Sequence, residues 1–349
     1  YQDERERQEE ESKYGVRIHQ VDFRRNPLHP GNLRAYRQLQ ALQKQHHFDA
    51  IHCNTPVGGL LGRLLGKKFG IRPVIYQAHG FHFHRGARPF NWLVYYPAER
   101  LLARYTDNLI AINSEDFALA KEKMALRGGA RPAYVHGVGV DLSRFAPDDG
   151  KRAAARQALG ILENAHVLLS VGELNKNKNH SVLLEALADL PETVLLIAGK
   201  GPLEGALKEQ ARQLNIQVRV QFLGFRRDLD ALYPACDIFC LASKREGLST
   251  SIMEAMASGL PVVCSDIRGN RDLVRPQGGL MVQPDDAKGF SGALKQLLEN
   301  PKARGDMGLF NREHTKTYGL EQVVAEMLAI YKAALGIQGM EGDLNAGQT

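Results

Sequence analysis

The sequence predicts an α/β protein made of two doubly wound domains. Short apolar runs alternate with amphipathic helical stretches, a pattern that indicates strand–helix–strand units and parallel sheets. The strand candidates are continuously apolar, as expected for parallel strands that are buried on both faces. The alternation restarts after a polar stretch with Pro and Gly at about residues 144–164, which indicates one linker between two domains. A length of 349 residues also fits two domains of ordinary size.

The first half contains five strand candidates and four helix candidates. The strands are predicted at residues 16–23, 49–53, 73–78, 108–113 and 133–136. The helices are predicted at residues 31–46, 58–69, 91–105 and 115–125. A doubly wound domain normally opens with an apolar strand and a Gly-rich turn that leads into a helix. Neither feature precedes residue 16, so we expect the N-terminal domain to lack its first strand and helix, as after a truncated start.

The second half repeats the alternation. Strands are predicted at residues 166–171, 193–198, 218–223, 238–241, 261–265 and 279–282. Helices are predicted at residues 181–188, 202–213, 249–257, 287–299 and 319–335. We therefore expect domains at residues 1–145 and 146–318, a helix at 319–335 that packs back on the first domain, and a flexible Gly-rich tail at 336–349. Ligands of such sheets bind beyond the carboxyl ends of the strands, and two facing domains would form a deep cleft.

Composition excludes several classes of protein. A hydrophobic content of 44% excludes disorder over most of the chain. No apolar run approaches the roughly 18–20 residues that span a bilayer, and the charged first fifteen residues are unlike a signal peptide. Residues 1–150 hold 22 Lys and Arg against 16 Asp and Glu, and the rest of the chain is balanced. The basic half either attracts an anionic partner, such as a phosphorylated ligand, a nucleic acid or a membrane, or is an ordinary solvated surface.

The cysteines indicate a reducing environment. Four of them, Cys53, Cys236, Cys240 and Cys264, are too few and too scattered for a disulfide framework. Most lie in strongly apolar runs, so we expect buried, reduced thiols and a cytoplasmic protein.

The most informative segment is EGLSTSIMEAMASGLPVV, which follows a predicted strand and runs into a helix. Ser249 is a good N-cap residue, and the N–H groups of a helix that starts there form a phosphate site. Gly247 permits close approach of a ligand to the backbone. Glu254 lies about one turn inside the helix, where a carboxylate can accept hydrogen bonds from both hydroxyls of a ribose. Glu246 can reach the other end of the same ligand, although two surface glutamates beside a capped helix are the simpler alternative.

These segments together resemble the retaining glycosyltransferases of family four, whose architecture of two Rossmann-like domains facing a cleft is called GT-B. The matching motifs of the second half are SVGELNKNKNH, LLIAGKGPLEGAL, VQFLGFRRDLDALYPACDIFCLAS, the two-glutamate string and GNRDLV. Those of the first half are IHCNTPVGGLLGRL, YQAHGFHF, DNLIAINSEDF and VHGVGVDLSRF. The resemblance covers about residues 16–335. It is greatest to bacterial members that build capsule, exopolysaccharide or O-antigen units on a lipid carrier.

The resemblance implies that the second domain binds a nucleotide sugar. Glu254 matches the glutamate that binds the ribose, and Glu246 matches the group beside the donor sugar. The glycines of the loop at residues 199–201 would let the backbone approach the nucleotide, and a simple tight turn is the alternative interpretation. The nucleotide-sugar residues implied by the resemblance are Gly172, Lys178, Gly199, Gly201, Phe225, Arg226, Gly247, Leu248, Ser249 and Glu254.

The diphosphate loop departs from the family pattern. Lys178 stands at the position of the family's lysine, but Glu173 occupies the position of its usual arginine. A glutamate cannot bind phosphate, so part of that contact is expected to move to Asn175, to Lys176 or to backbone amides.

In the first domain, the resemblance implies that His79 contacts the donor sugar, so the predicted catalytic residues are His79 and Glu246. The predicted acceptor-side residues are Asn54, Thr55, Gly58 and Gly59, with a helix N-cap and close packing as an almost equally good interpretation. His79, His82 and His84 have a spacing that suggests zinc, but no carboxylate or Cys lies nearby in sequence. We therefore expect no metal site and no cofactor, and we expect Asp285–Asp286 to cap a helix.

The sequence thus predicts a retaining, metal-independent glycosyltransferase. The expected donor is a UDP-hexose or UDP-N-acetylhexosamine, and the expected acceptor is a saccharide on a polyprenyl diphosphate at the inner face of the cytoplasmic membrane. Trp92, Tyr95 and Tyr96, interleaved with arginines, either contact that anionic surface or form a buried helix face. No nucleic-acid partner is expected. The alternatives are a UDP-sugar 2-epimerase of the same architecture and a non-catalytic nucleotide-sugar-binding protein; an oxidoreductase is disfavoured because no GxGxxG follows a strand.

Overall fold

The computed structural model describes residues 4–337, and it is an α/β protein with two sheets. Its first part has four of the five predicted strands and all four predicted helices, with ends that differ by one or two residues. In chain order the elements are α1 (Glu4–Tyr14), α2 (Asn32–His46), β1 (Ile51–Asn54), α3 (Pro56–Phe69), β2 (Val74–Ala78), α4 (Pro89–Ala103), β3 (Asn108–Ala111), α5 (Ser114–Lys123) and β4 (Ala133–Tyr134).

The first sheet has the strand order β1-β2-β3-β4, and β1 pairs with β2 in parallel. Helix α3 packs on this sheet through glycines spaced three and four residues apart, Gly59, Gly62 and Gly66, which share one helix face. A Cβ atom at Gly59 would lie 2.4 Å from the Tyr76 ring, and one at Gly66 would lie 2.4 Å from a methyl group of Val74. The missing side chains therefore let the helix backbone approach the strands closely.

The predicted strand at residues 16–23 is wrong. The segment has no regular secondary structure, and side chains of α2 satisfy part of its backbone. The Asp22 N–H donates to Gln38 Oε1 at 3.0 Å, and the Arg24 N–H donates to Asn32 Oδ1 at 2.9 Å. The apolar pattern here therefore produces a segment that lies on a helix instead of joining a sheet.

The second part contains all six predicted strands and all five predicted helices, together with further helices. In chain order the elements are α6 (Asp149–Ala158), β5 (His166–Val171), α7 (His180–Ala188), β6 (Thr193–Ala198), α8 (Glu204–Gln213), β7 (Val220–Gly224), α9 (Leu229–Leu232), β8 (Ile238–Leu241), α10 (Thr250–Ala257), β9 (Val262–Ser265), α11 (Asn270–Leu273), β10 (Gly279–Val282), α12 (Ala287–Leu298), α13 (Pro301–Thr315) and α14 (Leu320–Leu335).

The second sheet has the strand order β10-β9-β8-β5-β6-β7, with its strands paired in parallel. Apolar cores cover both faces: one includes side chains of α10, the other side chains of α7 and α12. The strand order reverses between β5 and β8, because β6 lies on one side of β5 and β8 on the other. Such a switch point leaves a crevice beyond the carboxyl ends of the strands, where ligands of doubly wound sheets bind.

Helices α6 and α13 were not predicted. Helix α6 lies in the stretch interpreted as a linker, and its arginines fix it to the second sheet. Arg152 and Arg156 donate to Asp237, just before β8, at 2.7 and 3.0 Å. Helix α13 begins with Pro301 after Asn300, whose side chain accepts the Ala303 N–H at 3.0 Å.

The chain divides into two compact units. The first unit comprises the described residues up to Ile110 and Ala120–Ala133; the second comprises Ala111–Leu119 and the described residues from Tyr134 onward. The predicted domain boundaries and the packing of helix 319–335 on the first domain stay predictions. All of the predicted tail beyond residue 337 lies outside the described residues.

Two predictions from composition can be compared with the structure. All four cysteines are buried and unpaired, as predicted, and burial raises the pKa of Cys53 and of Cys240 to about 12. Between residues 4 and 337, no helix is long and apolar enough to cross a bilayer.

Candidate active site

Three loops at the carboxyl ends of β5, β6 and β7 are bonded to one another in the second unit. The Gly172 N–H donates to the carbonyl of Ala198 at 3.0 Å, and the Gly199 N–H donates to the carbonyl of Gly224 at 2.8 Å. Backbone bonds of this kind satisfy the polar groups of the turns and fix the loops in place. The predicted nucleotide-sugar residues of these loops are therefore brought together.

The turn at Gly199 and Gly201 has no room for side chains. A Cβ atom at Gly199 would lie 1.9 Å from the carbonyl oxygen of Gly172, and one at Gly201 would lie 2.5 Å from that of Leu174. The glycines are thus required by contact between two loops, which is a structural reason for the motif. Their contact with a nucleotide stays a prediction.

Lys178 and Glu246 form an ion pair, although 68 residues separate them. Lys178 Nζ lies 2.8 Å from Glu246 Oε1, and the two side chains are only 20% and 13% exposed. The stem of the lysine lies along Gly172, where a Cβ atom would be 3.0 Å from its Cδ. The cation predicted to bind phosphate and the carboxylate predicted to lie near the donor sugar are therefore neighbours, beyond the ends of β5 and β8.

Asparagines hold the loop that carries Lys178. The side-chain oxygen of Asn175 accepts the N–H groups of Asn177 and Lys178, each at 2.9 Å. The Asn177 amide donates to the carbonyl of Arg245 at 2.9 Å, which ties this loop to the residue before Glu246. Sequence reasoning offered Asn175 as a phosphate contact and missed this backbone role, although short-range Asn-to-backbone bonds are the usual reason for Asn in turns.

The Glu254 carboxylate is partly buried on α10. The hydroxyl of Tyr233, a residue not singled out from the sequence, lies 2.7 Å from Glu254 Oε2. Burial raises the pKa of Glu254, while the bond from Tyr233 and the positive charge of Arg144 oppose that rise. Arg144 itself donates to Asp230 at 3.0 and 3.2 Å. The carboxylate of Glu254, which is predicted to bind the ribose, is thus held in a defined position by the hydrogen bond that it accepts from Tyr233.

The segment before α10 has the predicted cap. Ser249 Oγ accepts the N–H three residues along at 3.4 Å, which confirms Ser249 as the N-cap. Gly247 lies against Gly269, where a Cβ atom would be 2.3 Å from the Gly247 carbonyl oxygen. Leu248 packs against Gly137, where a Cβ atom would be 2.7 Å from its Cδ2. The backbone leading into α10 is therefore fixed from two sides.

Phe225 and Arg226 lie after β7 in different environments. Phe225 is 65% exposed, and its contact with a base stays a prediction. Arg226 donates to both carboxylate oxygens of Asp228, at 2.7 and 2.6 Å. That bidentate contact raises the pKa of Arg226 and lowers the pKa of Asp228. Glu173, at the family's arginine position, is exposed.

In the first unit, His79 and Asn54 are brought together beyond β1 and β2. His79 Nε2 lies 2.9 Å from Asn54 Oδ1, so the ring donates to the amide oxygen. Desolvation by neighbouring protein lowers the pKa of His79, and burial together with His79 lowers the pKa of His52. A neutral His79 with Nε2 donating keeps Nδ1 as an acceptor, which suits a sugar hydroxyl.

Thr55, Gly58 and Gly59 have the structural roles that were predicted as the alternative to acceptor binding, namely a helix N-cap and close packing. Thr55 is the N-cap of α3, and its Oγ1 accepts the Gly58 N–H at 3.3 Å. Gly59 makes the close approach to Tyr76 described above. Asn54, Thr55 and Gly58 also line a cavity of about 600 Å³, so their contact with an acceptor stays a prediction.

In the part of the chain that the structure describes, no three His, Cys, Asp or Glu side chains are grouped as a metal site. Asp286 Oδ1 accepts the Gly289 N–H at 2.8 Å at the start of α12, which confirms the predicted cap. Asp285 instead pairs with Lys244 at 2.6 Å, and this contact lowers the pKa of Asp285.

The sequence matches two glycosyltransferase families and several known proteins. Residues 151–314 match the family described as glycosyl transferases group 1, and residues 1–124 match the glycosyl transferase 4-like domain. EpsD of Bacillus subtilis (strain 168), provisionally assigned as a glycosyltransferase, is 36% identical over 330 residues, which cover 92% of this chain and 86% of EpsD.

Two further proteins are similar over most of the chain. The Escherichia coli UDP-Gal:alpha-D-GlcNAc-diphosphoundecaprenol alpha-1,3-galactosyltransferase is 31% identical over 272 residues, which cover 75% of this chain and 69% of that enzyme. The structure of Anabaena Alr3699/HepE in complex with UDP-glucose has the same fold, with a TM-score of 0.79, 20% identity, and 93% and 88% of the two chains covered. This chain therefore belongs to the family-four glycosyltransferases, which have the GT-B fold.

Proposed function

We propose that this glycosyltransferase transfers a hexose or an N-acetylhexosamine from a UDP-sugar to a lipid-diphosphate-linked saccharide, with retention, in the synthesis of a bacterial surface polysaccharide. The main support is the placement of Glu254 and of the Lys178–Glu246 pair beyond the carboxyl ends of β5 and β8. The names of the relatives add weight. The Escherichia coli enzyme is named for UDP-Gal and a diphosphoundecaprenol acceptor, and the HepE structure contains UDP-glucose.

In the proposed complex, each part of the donor meets a group of matching chemistry. Glu254 accepts hydrogen bonds from the ribose, and the exposed ring of Phe225 stacks on the base. Lys178 and the N–H groups at the start of α10 bind the diphosphate, since a helix N-terminus favours an anion. Glu246 accepts from hydroxyls of the donor sugar.

The proposed reaction forms the new bond on the face from which the diphosphate leaves. The bond from the anomeric carbon to the diphosphate oxygen breaks, and a bond from that carbon to the acceptor oxygen forms. The proton of the acceptor hydroxyl passes to the leaving diphosphate, so no side chain has to act as a base. The protein then contributes positioning of the substrates and stabilisation of the leaving charge by Lys178 and α10. This scheme needs neither a metal ion nor a cofactor.

The lipid-linked acceptor implies work at an anionic membrane surface, and α4 has a suitable face. Phe90, Leu93 and Leu101 are 59%, 76% and 52% exposed, and their spacing, with the exposed Pro97 between them, places them on one side of the helix. Exposed apolar and basic residues on one helix are typical of helices that lie in a membrane interface. The arginines exposed on or beside α4 are Arg85, Arg88, Arg100 and Arg104.

The acidic residue of α4 does not oppose this role. Glu99 points into the first unit, where its carboxylate pairs with Arg63 at 2.7 Å. Trp92 and Tyr96, which the sequence offered as membrane contacts, are half-buried instead, with ring centroids 5.6 and 5.5 Å from that of Phe83. The proposed membrane face of α4 is therefore the side opposite to those aromatic residues.

Product analysis tests the function. The full chain is incubated with UDP-galactose, UDP-glucose, UDP-N-acetylglucosamine or UDP-N-acetylgalactosamine, with and without a synthetic lipid diphosphate that carries N-acetylglucosamine. We expect UDP release only with acceptor, and a product whose anomeric configuration, read by NMR, equals that of the donor. Inversion would contradict the retaining mechanism. A new UDP-sugar formed without acceptor would indicate the epimerase, and binding without turnover the non-catalytic protein.

Co-sedimentation with phosphatidylglycerol vesicles tests the membrane face. We expect binding that weakens in high salt and is lost in Leu93→Glu. Leu162→Glu is the matched control, because Leu162 is also exposed, at 73%, but lies in the second unit. Equal binding of the two variants would refute the role of α4.

A further inference from the structure

The hydroxyl of Tyr233 is buried against the carboxylate of Glu254. Tyr233 is 0% exposed, and its hydroxyl oxygen lies 2.7 Å from Glu254 Oε2 and 3.1 Å from the carbonyl oxygen of Ser251. Both acceptors belong to α10. The hydroxyl is therefore bonded both to the backbone of α10 and to the carboxylate that this helix carries.

The position of this hydroxyl is fixed by the packing of its ring. The Tyr233 ring meets the edge of Phe145 at a centroid distance of 5.7 Å and lies 6.0 Å from the ring of Phe239. Burial and the adjacent carboxylate raise the pKa of Tyr233 well above its usual value, so the hydroxyl remains a donor. A rigid ring with a permanently protonated hydroxyl is a fixed hydrogen-bond donor.

One proton is shared by two acceptors, and the carboxylate is the stronger of them. A bond from a hydroxyl to a charged oxygen is shorter and stronger than one to a carbonyl, which agrees with 2.7 Å against 3.1 Å. The other oxygen of Glu254, Oε1, makes no hydrogen bond to any residue in the described range 4–337. Each carboxylate oxygen has two lone-pair sites, so Oε1 keeps both of its sites and Oε2 keeps one.

We propose that Tyr233 is a positioning residue for the nucleotide: its hydroxyl holds the Glu254 carboxylate in the one orientation that presents it to the ribose diol. The inference rests on the proposed function, because it assumes that Glu254 binds the ribose. In this role Tyr233 acts on the nucleotide only through Glu254.

The electrostatic surroundings give this role a pH signature. The groups that face the carboxylate are the Tyr233 hydroxyl and the Arg144 guanidinium; Arg144 is itself paired with Asp230. Burial raises the pKa of Glu254, and these two groups oppose the rise. Without the Tyr233 hydroxyl the pKa of Glu254 rises further, so recognition of the ribose by the ionised carboxylate is lost at a higher pH as the solution is acidified.

The experiment compares UDP with 2′,3′-dideoxyuridine 5′-diphosphate by titration calorimetry. The Kd for the dideoxy ligand divided by the Kd for UDP measures the contribution of the ribose hydroxyls. The base and the titrating phosphates are common to both ligands, so their contributions cancel in this ratio. We expect Tyr233→Phe to lower this ratio about tenfold, the equivalent of about 1.4 kcal/mol for one hydrogen bond to a charged group. On acidification, the ratio of Tyr233→Phe should also fall at a higher pH than that of the wild type, because Glu254 is protonated at a higher pH in the variant.

Tyr318→Phe is the matched control. Tyr318 is also buried, at 4% exposure, and its hydroxyl donates to the carbonyl of Asp272 at 3.0 Å, so its loss removes one buried hydrogen bond that does not involve Glu254. We expect its ratio and pH profile to be those of the wild type. In a Glu254→Gln background, Tyr233→Phe should change the ratio by less than twofold, because the charged acceptor is gone.

The outcomes separate this inference from the proposed function. If the wild type prefers UDP over the dideoxy ligand and Tyr233→Phe keeps the full ratio and the same pH profile, the positioning role is refuted while the function stands. If the wild type does not bind UDP, or binds both ligands equally, the proposed ribose site fails and this inference with it. A Tyr233→Phe protein without a cooperative unfolding transition, beside a folded Tyr318→Phe, would show a structural role and also overturn the proposal.

Discussion

Replacing Lys178 by Ala is the strongest test of the proposed diphosphate site. Two unit charges 4 Å apart interact by about 4 kcal/mol at an effective dielectric constant of 20. Lys178 is 20% exposed, so little solvent would replace its charge. Loss of one preorganised contact to a developing negative charge costs about 2.7–4 kcal/mol, or 100- to 1000-fold in turnover. The same substitution leaves Glu246 without its partner at 2.8 Å, which adds repulsion toward a diphosphate.

We therefore expect Lys178→Ala to lower kcat by about a hundredfold or more, measured as UDP release at saturating donor and acceptor. The contribution of Lys178 should be large because Glu173 stands where the family pattern predicts an arginine. Lys176→Ala is the matched control, since Lys176 lies on the same loop and is exposed. We expect its kcat to stay within about threefold of the wild type, the usual range for a surface residue of small energetic effect.

A double variant separates catalysis from stability. Lys178→Ala with Glu246→Gln removes the unpaired charge, so it should recover the free energy of unfolding lost in Lys178→Ala without recovering turnover. The reasoning is refuted if Lys178→Ala retains near wild-type kcat while Lys176→Ala abolishes it.

Three further outcomes are expected. Glu254→Gln keeps the shape of the side chain but loses its charge, so UDP affinity in titration calorimetry should fall by about 1.5–3 kcal/mol; unchanged affinity would refute the ribose assignment. Gly201→Ala should lower the free energy of unfolding by about 1–3 kcal/mol in urea, because the added Cβ would lie 2.5 Å from the carbonyl oxygen of Leu174. Gly205→Ala is the control and should not destabilise the fold, because a Cβ there meets nothing within 4 Å. Burial lowers the pKa of His180 to about 4, so the unfolded chain takes up a proton that the folded chain does not. The free energy of unfolding should therefore fall by about 3 kcal/mol between pH 7 and pH 4, and His180→Leu should flatten this dependence in a pH series of urea unfolding curves.

The inner strands of the second sheet, β9, β8, β5 and β6, could be predicted from the sequence because they are largely buried and mostly apolar. The strand prediction failed at residues 16–23, where polar residues interrupt the apolar ones and side chains of α2 bond the backbone N–H groups of Asp22 and the neighbouring Arg24. Helix α6 could not be predicted from an apolar pattern because its composition is polar. Two of its arginines hold it by pairing with Asp237. Helix α13 had a readable start in Asn300 followed by Pro301, a common arrangement at the first turn of a helix.

The candidate site residues could be named from the sequence where a motif carries them, but contacts between residues distant in sequence could not be predicted. Lys178, Glu246 and Glu254 all came from motifs, and the structure adds that the first two form a pair. Tyr233 lies 21 residues from Glu254 and in sequence resembles an ordinary core aromatic, so only the fold brings its hydroxyl to the carboxylate. Asn175 is one of three predicted phosphate contacts, and that role stays a prediction; the structure adds that its side-chain oxygen bonds the backbone of its own loop.

The charges of the second unit have a consequence for how it would accept a diphosphate. Residues 151–349 hold 23 Lys and Arg and 23 Asp and Glu, and several basic side chains around the candidate donor site are paired with acids. The pairs are Lys178–Glu246, Arg226–Asp228, Arg144–Asp230 and Lys244–Asp285. In the proposed complex, an incoming diphosphate would meet Lys178 already held by Glu246, together with the N–H groups at the start of α10. Such an arrangement lowers the affinity for the anion in the ground state, because the cation is shared between the anion and a protein carboxylate. It keeps the donors in place for the charge that grows on the leaving diphosphate, and groups that need no reorganisation at that moment stabilise a transition state best.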